Sequence, residues 1–411
     1  MTNASDRLPC DQRLRVCYVV SYFHPFASGA ERQALAQGVE LARRGHEVHV
    51  VTHAVAGYPV DDEVVDGVEI HRWVRSLQVG PLFGLSFVWG VIQALRRLRG
   101  RFDVIHTHQG LWEAVAVGLS RASLGVPTLI QPASSGRFGE AQELARTRGR
   151  GLLRRAILRN TAFAAISEEI EREWHALGVP SGRMIRLASG VDTDRFRPGP
   201  SAVETSLPTG PRVVFTGRLH PQKNLDVLID AWPRVLSRQG QSAHLILIGR
   251  GGERERLEAR VRALDLAEYV HFPGPIDDPA EHLRAADVFV LPSVAEGMSN
   301  SLLEAMASGL PCLASSIGGN SDLLSTRDVG RLVDSVAPEA WADAIVELLE
   351  DVEARRSLGA AARRRVEAEF SLHAVVDRYE RLYRDMIDGV WPVHHATAQA
   401  SGGRKTDRPA T

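Results

Sequence analysis

Residues 287–311 read DVFVLPSVAEGMSNSLLEAMASGLP. The run 287–291 is apolar after its first residue and does not alternate, the pattern of a parallel strand covered on both faces. Pro292 and Gly297 bound a loop. A helix is expected to start near Ser299 or Asn300, residue types that cap helix N-termini. A second apolar run follows at 311–314. This is a strand–helix–strand unit, the repeating element of a doubly wound sheet.

The rhythm continues in both directions. Strand-like runs lie at 15–20, 47–52, 68–71, 103–107, 127–131, 163–166 and 184–187, then at 212–216, 244–248, 269–272 and 330–333. Helical patterns fill the intervals, as at 31–44 and 253–264. The series occurs twice, broken by 197–211, RPGPSAVETSLPTGP, which is linker chemistry. The expected fold class is therefore α/β, with two Rossmann-like doubly wound domains, 13–196 and 212–371, facing a central cleft. The helical segment 372–390 has the pattern to pack on either domain. Residues 1–12 and 391–411 are expected to be disordered.

Bulk composition excludes several function classes. The chain has 411 residues, 44% apolar and 24% charged, with a formal net charge of -1. That length supports two cores, and the charge balance does not point to a nucleic-acid partner. Cys10, Cys17 and Cys312 form an odd, sparse set that fits a reducing cytoplasm, not a disulfide framework. The N-terminus lacks the long apolar stretch of a secretory signal. Residues 76–95 carry no charge, and Arg96, Arg97, Arg99 and Arg101 follow. That length nearly spans a bilayer, but Gly80, Pro81, Gly84, Gly90 and Gln93 interrupt it. The stretch reads as a buried helix or, beside its arginines, as a peripheral contact with an anionic membrane surface. Arg146, Arg148, Arg150, Arg154, Arg155 and Arg159 read as a solvated helix face or as part of that surface.

Ligands in parallel sheets bind at the carboxyl ends of strands. After the first run comes SGAERQ (28–33), where Ser28 and Glu31 have capping-box spacing and Gly29 permits close backbone approach. His106 and His108 share a face by strand parity. With no third metal ligand nearby in sequence, His108 is read as a polar contact to a sugar. FTGRLHPQKN (215–224) puts Gly217, Arg218 and Lys223 at a strand end, where fixed cations can stabilise a departing diphosphate. Gly249, Gly251 and Gly252 admit a nucleotide near backbone amides, a weak signal alone. The expected helix start after Glu296 suits a diphosphate; Glu304 just inside suits a ribose, and Glu296 just before suits sugar hydroxyls. A retaining glycosidase needs its carboxylates about 5–5.5 Å apart. The mostly helical segment between these two spans roughly 10 Å or more, so they read as a donor clamp.

With ASGVDTDRFRP (188–198), these motifs make the chain from about 13 to 387 resemble the retaining glycosyltransferases of family four, which have the GT-B fold. The resemblance implies an enzyme that moves a hexosyl unit, with retained configuration, from a uridine, guanosine or adenosine diphosphate sugar to a hydroxyl acceptor. That acceptor is a glycan, a lipid-linked intermediate or a small molecule, held by the first domain. The donor is held mainly by the second: Arg218 and Lys223 on the diphosphate, Glu304 on the ribose, Glu296 on the sugar. Amides of Gly297, Met298, Ser299, Asn300 and Ser301 complete that site, with Gly29, Gly217 and Gly251 close by. His108 would touch sugar in the cleft, and the final helix would cross back to the first domain. No metal or further cofactor is implied; the nucleotide sugar is a co-substrate. Asp192-Thr193-Asp194 is read as structural, and Asn320, Ser321 and Asp322 depart from the family pattern. A nucleotide-sugar isomerase would differ in its products from donor alone, and a non-catalytic nucleotide-sugar-binding subunit in releasing no nucleotide.

Overall fold

A computed structural model describes residues 13–24, 29–55, 62–77, 79–240 and 242–391. The expected disorder over 1–12 and beyond Trp391, and the Ser28 cap, lie outside the described residues. The first half builds strands β1 (Arg15–Val19), β2 (Glu47–His53), β3 (Glu63–Val65), β4 (Val68–Val74), β5 (Val104–Thr107), β6 (Thr128–Ile130), β7 (Ala162–Ala165) and β8 (Met184–Arg186). The second builds β9 (Arg212–Thr216), β10 (His244–Ile248), β11 (Val270–Gly274), β12 (Val288–Leu291), β13 (Cys312–Ser315) and β14 (Arg331–Val333). The sheet orders are β3-β4-β2-β1-β5-β6-β7-β8 and β11-β10-β9-β12-β13-β14. The second is wholly parallel and reverses direction at β9, where a doubly wound sheet opens a crevice.

Unbroken apolar runs become central strands because helices cover both faces. All four residues of β12 are buried, as are the last four of β1. Each such side chain contributes about 1.5–3 kcal/mol of burial. Strand β3 is an addition to the expected set. It pairs antiparallel with β4 through Asp66-Gly67, both at positive φ (47° and 87°), the tight hairpin turn that an Asp-Gly pair favours.

Helix Gly80–Arg97 buries Phe87, Val88, Val91, Ala94 and Leu95 on the first sheet. Its opposite face leaves Leu82, Leu85 and Trp89 in solvent. Among the described residues no helix is long and apolar enough to cross a membrane.

Helix Leu372–Ile387 packs on the first sheet, burying Tyr379, Leu382 and Tyr383 against Tyr18, Val50 and Ile70. The chain reaches it through a π-turn at Val366–Phe370 and a backbone exchange in which Val191 N–H donates to Phe370 and Leu372 N–H to Val191 (2.9 and 2.8 Å). Ser371 caps the helix by accepting from Ala374 N–H.

Candidate active site

The two sheets point their carboxyl ends at one cleft of about 480 Å³. From the first half come Gly29, Arg32, Gln33, Gln109, Gln131 and Ser134. From the second come Gly217, Arg218, Lys223, Gly249, Arg250 and Asp277, and the loop and helix start from Glu296 to Ser301, with Glu304.

That helix, Asn300–Ala307, starts where expected. Ser299 is its N-cap, extended at φ -80° and ψ 115°, and its hydroxyl accepts from Leu302 N–H. Such a cap is worth about 1 kcal/mol. It leaves the other first-turn amides toward the cleft, where the helix dipole favours an anion. Gly297 is required by the neighbouring half. A Cβ there would lie 2.2 Å from the carbonyl oxygen of Ala133, so the two backbones approach too closely for any side chain.

The two carboxylates are held by different cations. Lys223 Nζ donates to Glu296 Oε1, with both side chains about one-tenth exposed (11% and 9%). Glu304 pairs across the cleft with Arg32 of the first half at 3.3 Å. Burial holds the Glu304 carboxyl above the usual carboxylate range, and Arg32 partly offsets this. Among the described residues, neither Arg218 nor Arg250 has a carboxylate within 4.0 Å; Arg218 donates only a long bond to Gln222 at 3.4 Å. Both follow strand ends, β9 and β10, so uncompensated positive charge collects at the crevice.

Asn300 and Gln33 tie the halves together at the rim. Asn300 Nδ2 donates to the Gly29 carbonyl (2.9 Å), Gln33 Nε2 to Asn300 Oδ1 (3.0 Å) and to Gly190 (2.7 Å), and Gly190 N–H donates back to Gln33 (3.0 Å). At the other side Asp322 accepts from Arg186 and from Glu168 N–H, both at 2.9 Å. The segment that departs from the family pattern, folded here as the short helix Gly318–Leu323, therefore makes an interdomain contact.

His108 is not among the residues that line this cleft. It is 1% exposed, edge-on to Tyr18 with ring centroids 4.7 Å apart, and neither ring nitrogen has a partner among the described residues. Burial lowers its pKa to about 3, so the ring is neutral. His106 lies beside it on the same face, as parity requires, with the rings tilted by 32°, and bridges Tyr383 Oη (2.7 Å) and Gln131 Oε1 (3.1 Å). Tyr379 Oη also donates to Gln131, at 2.7 Å. The final helix thus fixes Gln131, a cleft residue, from below. Gly251 also stands away from the cleft lining: a Cβ there would meet the Leu219 carbonyl at 2.0 Å, so that glycine serves loop packing. Asp192 accepts from the amides of Asp194 and Arg195 (3.0 Å each), the structural turn expected of it.

Sequence reasoning missed Arg32, Gln33, Gln131 and Arg250. Arg250 carried a signal, since it follows a strand end as Arg218 does. The others lie on a helix face or beyond a strand whose neighbours only the fold supplies.

Residues 27–195 match the family described as Glycosyltransferase Family 4, and residues 210–351 that described as Glycosyl transferases group 1. The chain is 30% identical to the D-inositol 3-phosphate glycosyltransferase of Nocardia farcinica, over 93% of this chain and 90% of the relative. It is 24% identical to the N-acetyl-alpha-D-glucosaminyl L-malate synthase of Bacillus anthracis, over 89% and 96%. Among solved structures it resembles sucrose-phosphate synthase from Thermosynechococcus elongatus (24% identity, TM-score 0.78, 91% and 100% covered). It also resembles Anabaena HepE in complex with UDP-glucose (18%, 0.76, 91% and 100%).

Proposed function

The chain belongs to the family-four, group 1 glycosyltransferases, and from that premise we propose that it moves a hexosyl unit from a nucleoside diphosphate sugar to a hydroxyl acceptor, with retention. One observation carries the donor assignment. Arg218 and Arg250, without carboxylate partners among the described residues, converge with Lys223 and the capped helix start on one cleft between two carboxylates. A diphosphate there meets fixed cations and free amides, and its growing charge on departure is stabilised without a metal. Glu304, inside the helix, takes the ribose hydroxyls, and Glu296 the sugar hydroxyls.

Each of these carboxylates is held by a cation, Lys223 or Arg32, which suits a clamp more than a nucleophile and its acid. Retention then follows a same-face displacement. The bond from the anomeric carbon to the diphosphate breaks as the acceptor oxygen bonds from that side, and the acceptor proton passes to the departing phosphate oxygen. The protein contributes orientation and charge. Gly29, Gly217 and the amides of Gly297, Met298, Ser299, Asn300 and Ser301 border the donor.

The acceptor is a glycan, a lipid-linked intermediate or a small polar molecule; two relatives are named for inositol phosphate and malate acceptors. The exposed stripe Leu82, Leu85 (67%) and Trp89 (65%) favours peripheral binding at an anionic membrane surface, with Arg96, Arg97 and Arg99 exposed at the end of the same helix. Buried unpaired thiols at Cys17 and Cys312 accord with a cytoplasmic location. A thermal-shift screen of nucleoside diphosphates and their sugars tests the donor. One of them raises Tm in the parent and not in Arg218→Ala. If none does, the cleft is not a nucleotide site.

A further inference from the structure

Away from the cleft, β2 and β4 bring His49, Glu69 and His71 to one face of the first sheet. His49 lies opposite Glu69, and Val51 opposite His71, so strand parity puts all three side chains together. None of them lines the donor cleft. His49 Nδ1 lies 3.2 Å from His71 Nε2 and 3.3 Å from a Glu69 oxygen, and the three ligand atoms all fall within 4.8 Å of one another. Both imidazoles are fully buried, whereas Glu69 is about one-third exposed and opens the group to solvent.

The outer ring nitrogens decide the chemistry. His49 Nε2 faces Glu47 Oε1 at 3.2 Å, and His71 Nδ1 faces Asp62 Oδ1 at 2.8 Å. An ionised carboxylate only accepts, so in the tautomers where each outer nitrogen donates to its own carboxylate, each inner nitrogen presents a lone pair. In those tautomers two buried lone pairs converge beside the partly exposed Glu69 oxygen, an arrangement that a bound cation stabilises. Two histidines that each give their remote N–H to a carboxylate form the outer shell seen around bound transition metals. Ligand atoms on a tetrahedral zinc at about 2.0–2.1 Å lie roughly 3.3 Å apart, close to the two spacings that His49 Nδ1 makes here.

We propose that His49, His71 and Glu69 form a binding site for a divalent transition-metal ion of the zinc class, oriented by Glu47 and Asp62. The N2O donor set suits zinc and leaves a fourth position for water. Arg101 now donates to Glu69 at 3.1 Å and holds the charge that the ion would neutralise, so binding displaces it. The ion would clamp β2, β4 and the segment entering β3, and it takes no part in the donor cleft.

The test uses the full chain without an affinity tag, stripped by chelator, in a His394→Ala/His395→Ala background so that the adjacent tail histidines bind nothing. Zinc is titrated against a chromophoric chelator, and cobalt(II) is followed by visible absorption. One equivalent is expected, with the intense visible bands of a tetrahedral cobalt site. Glu69→Gln is expected to lose tenfold or more in affinity, and Asp62→Asn, at an exposed position that leaves folding intact, about 10–100-fold. Zinc raises Tm in the parent and not in Glu69→Gln. Absence of a stoichiometric site in the parent, or equal affinity in both variants, overturns the assignment and leaves a proton shared between the two imidazoles.

Discussion

Replacing Lys223 by Ala separates two roles that the structure superimposes on one side chain. Lys223 neutralises Glu296, and both are nearly buried. Removing one partner of a fully buried pair costs about 3–5 kcal/mol. This pair borders an open cleft, so water relieves part of that, and a loss of about 1–3 kcal/mol is expected. Catalysis should suffer more. A charged donor aimed at the leaving oxygen is worth about 10²–10³ in rate. Adding Glu296→Gln removes the orphaned charge. The double variant should therefore regain most of the stability in urea denaturation, while nucleoside diphosphate release stays at least 100-fold below the parent. If the second substitution restores activity together with stability, Lys223 acts only by holding Glu296, and the phosphate assignment fails. A single variant within tenfold of parent activity refutes it equally.

Glu304→Ala is expected to weaken nucleoside diphosphate binding about 10–100-fold by calorimetry, the value of charged hydrogen bonds to two hydroxyls, and Arg32→Ala less than fivefold; the reverse order removes the ribose role. Glu113, bonded by the Ser21 hydroxyl, has its pKa pushed by burial from 4.5 up to about 7. A carboxyl raised on folding contributes stability below its unfolded pKa and loses it as pH rises through the folded one, so the parent weakens between about pH 4.5 and 7 by up to about 1.4 kcal/mol per unit. Glu113→Gln should accordingly be more stable than the parent at pH 8, by about 1–3 kcal/mol, and gain almost nothing at pH 4; a pH-independent difference in urea midpoints argues against the shift. Leu85→Glu with Trp89→Glu should cut cosedimentation with anionic vesicles at least tenfold, since each apolar side chain buries about 1.5–3 kcal/mol; unchanged binding excludes this stripe as the contact.

Much of the second half was legible because its signals are local. The run 212–216 became β9, the helix after Glu296 is capped by Ser299, and the last helix spans Leu372–Ile387. Strand β3 was missed although Asp66-Gly67 announced its hairpin, because a three-residue edge strand has too short a pattern to register. The helical part of the uncharged stretch, from Leu82 to Leu95, is amphipathic in space. Its buried and exposed faces share one uncharged composition, so only packing on the sheet distinguishes Phe87 from Trp89.

The chain alone dictates the βα rhythm, its two-fold repetition and the cations and carboxylates placed at strand ends. Those depend on periodicity, capping and turn chemistry, which act over a few residues. Which groups face one another depends on how the two sheets meet. Arg32 reaches Glu304, Gln33 reaches Asn300, and the Ala133 carbonyl occupies the space a Cβ on Gly297 would need. These partners are separated by more than a hundred residues, and no local pattern encodes their approach. The same holds for His108, whose strand position marked it as a site residue but whose exposure was decided by Tyr18 packing over it.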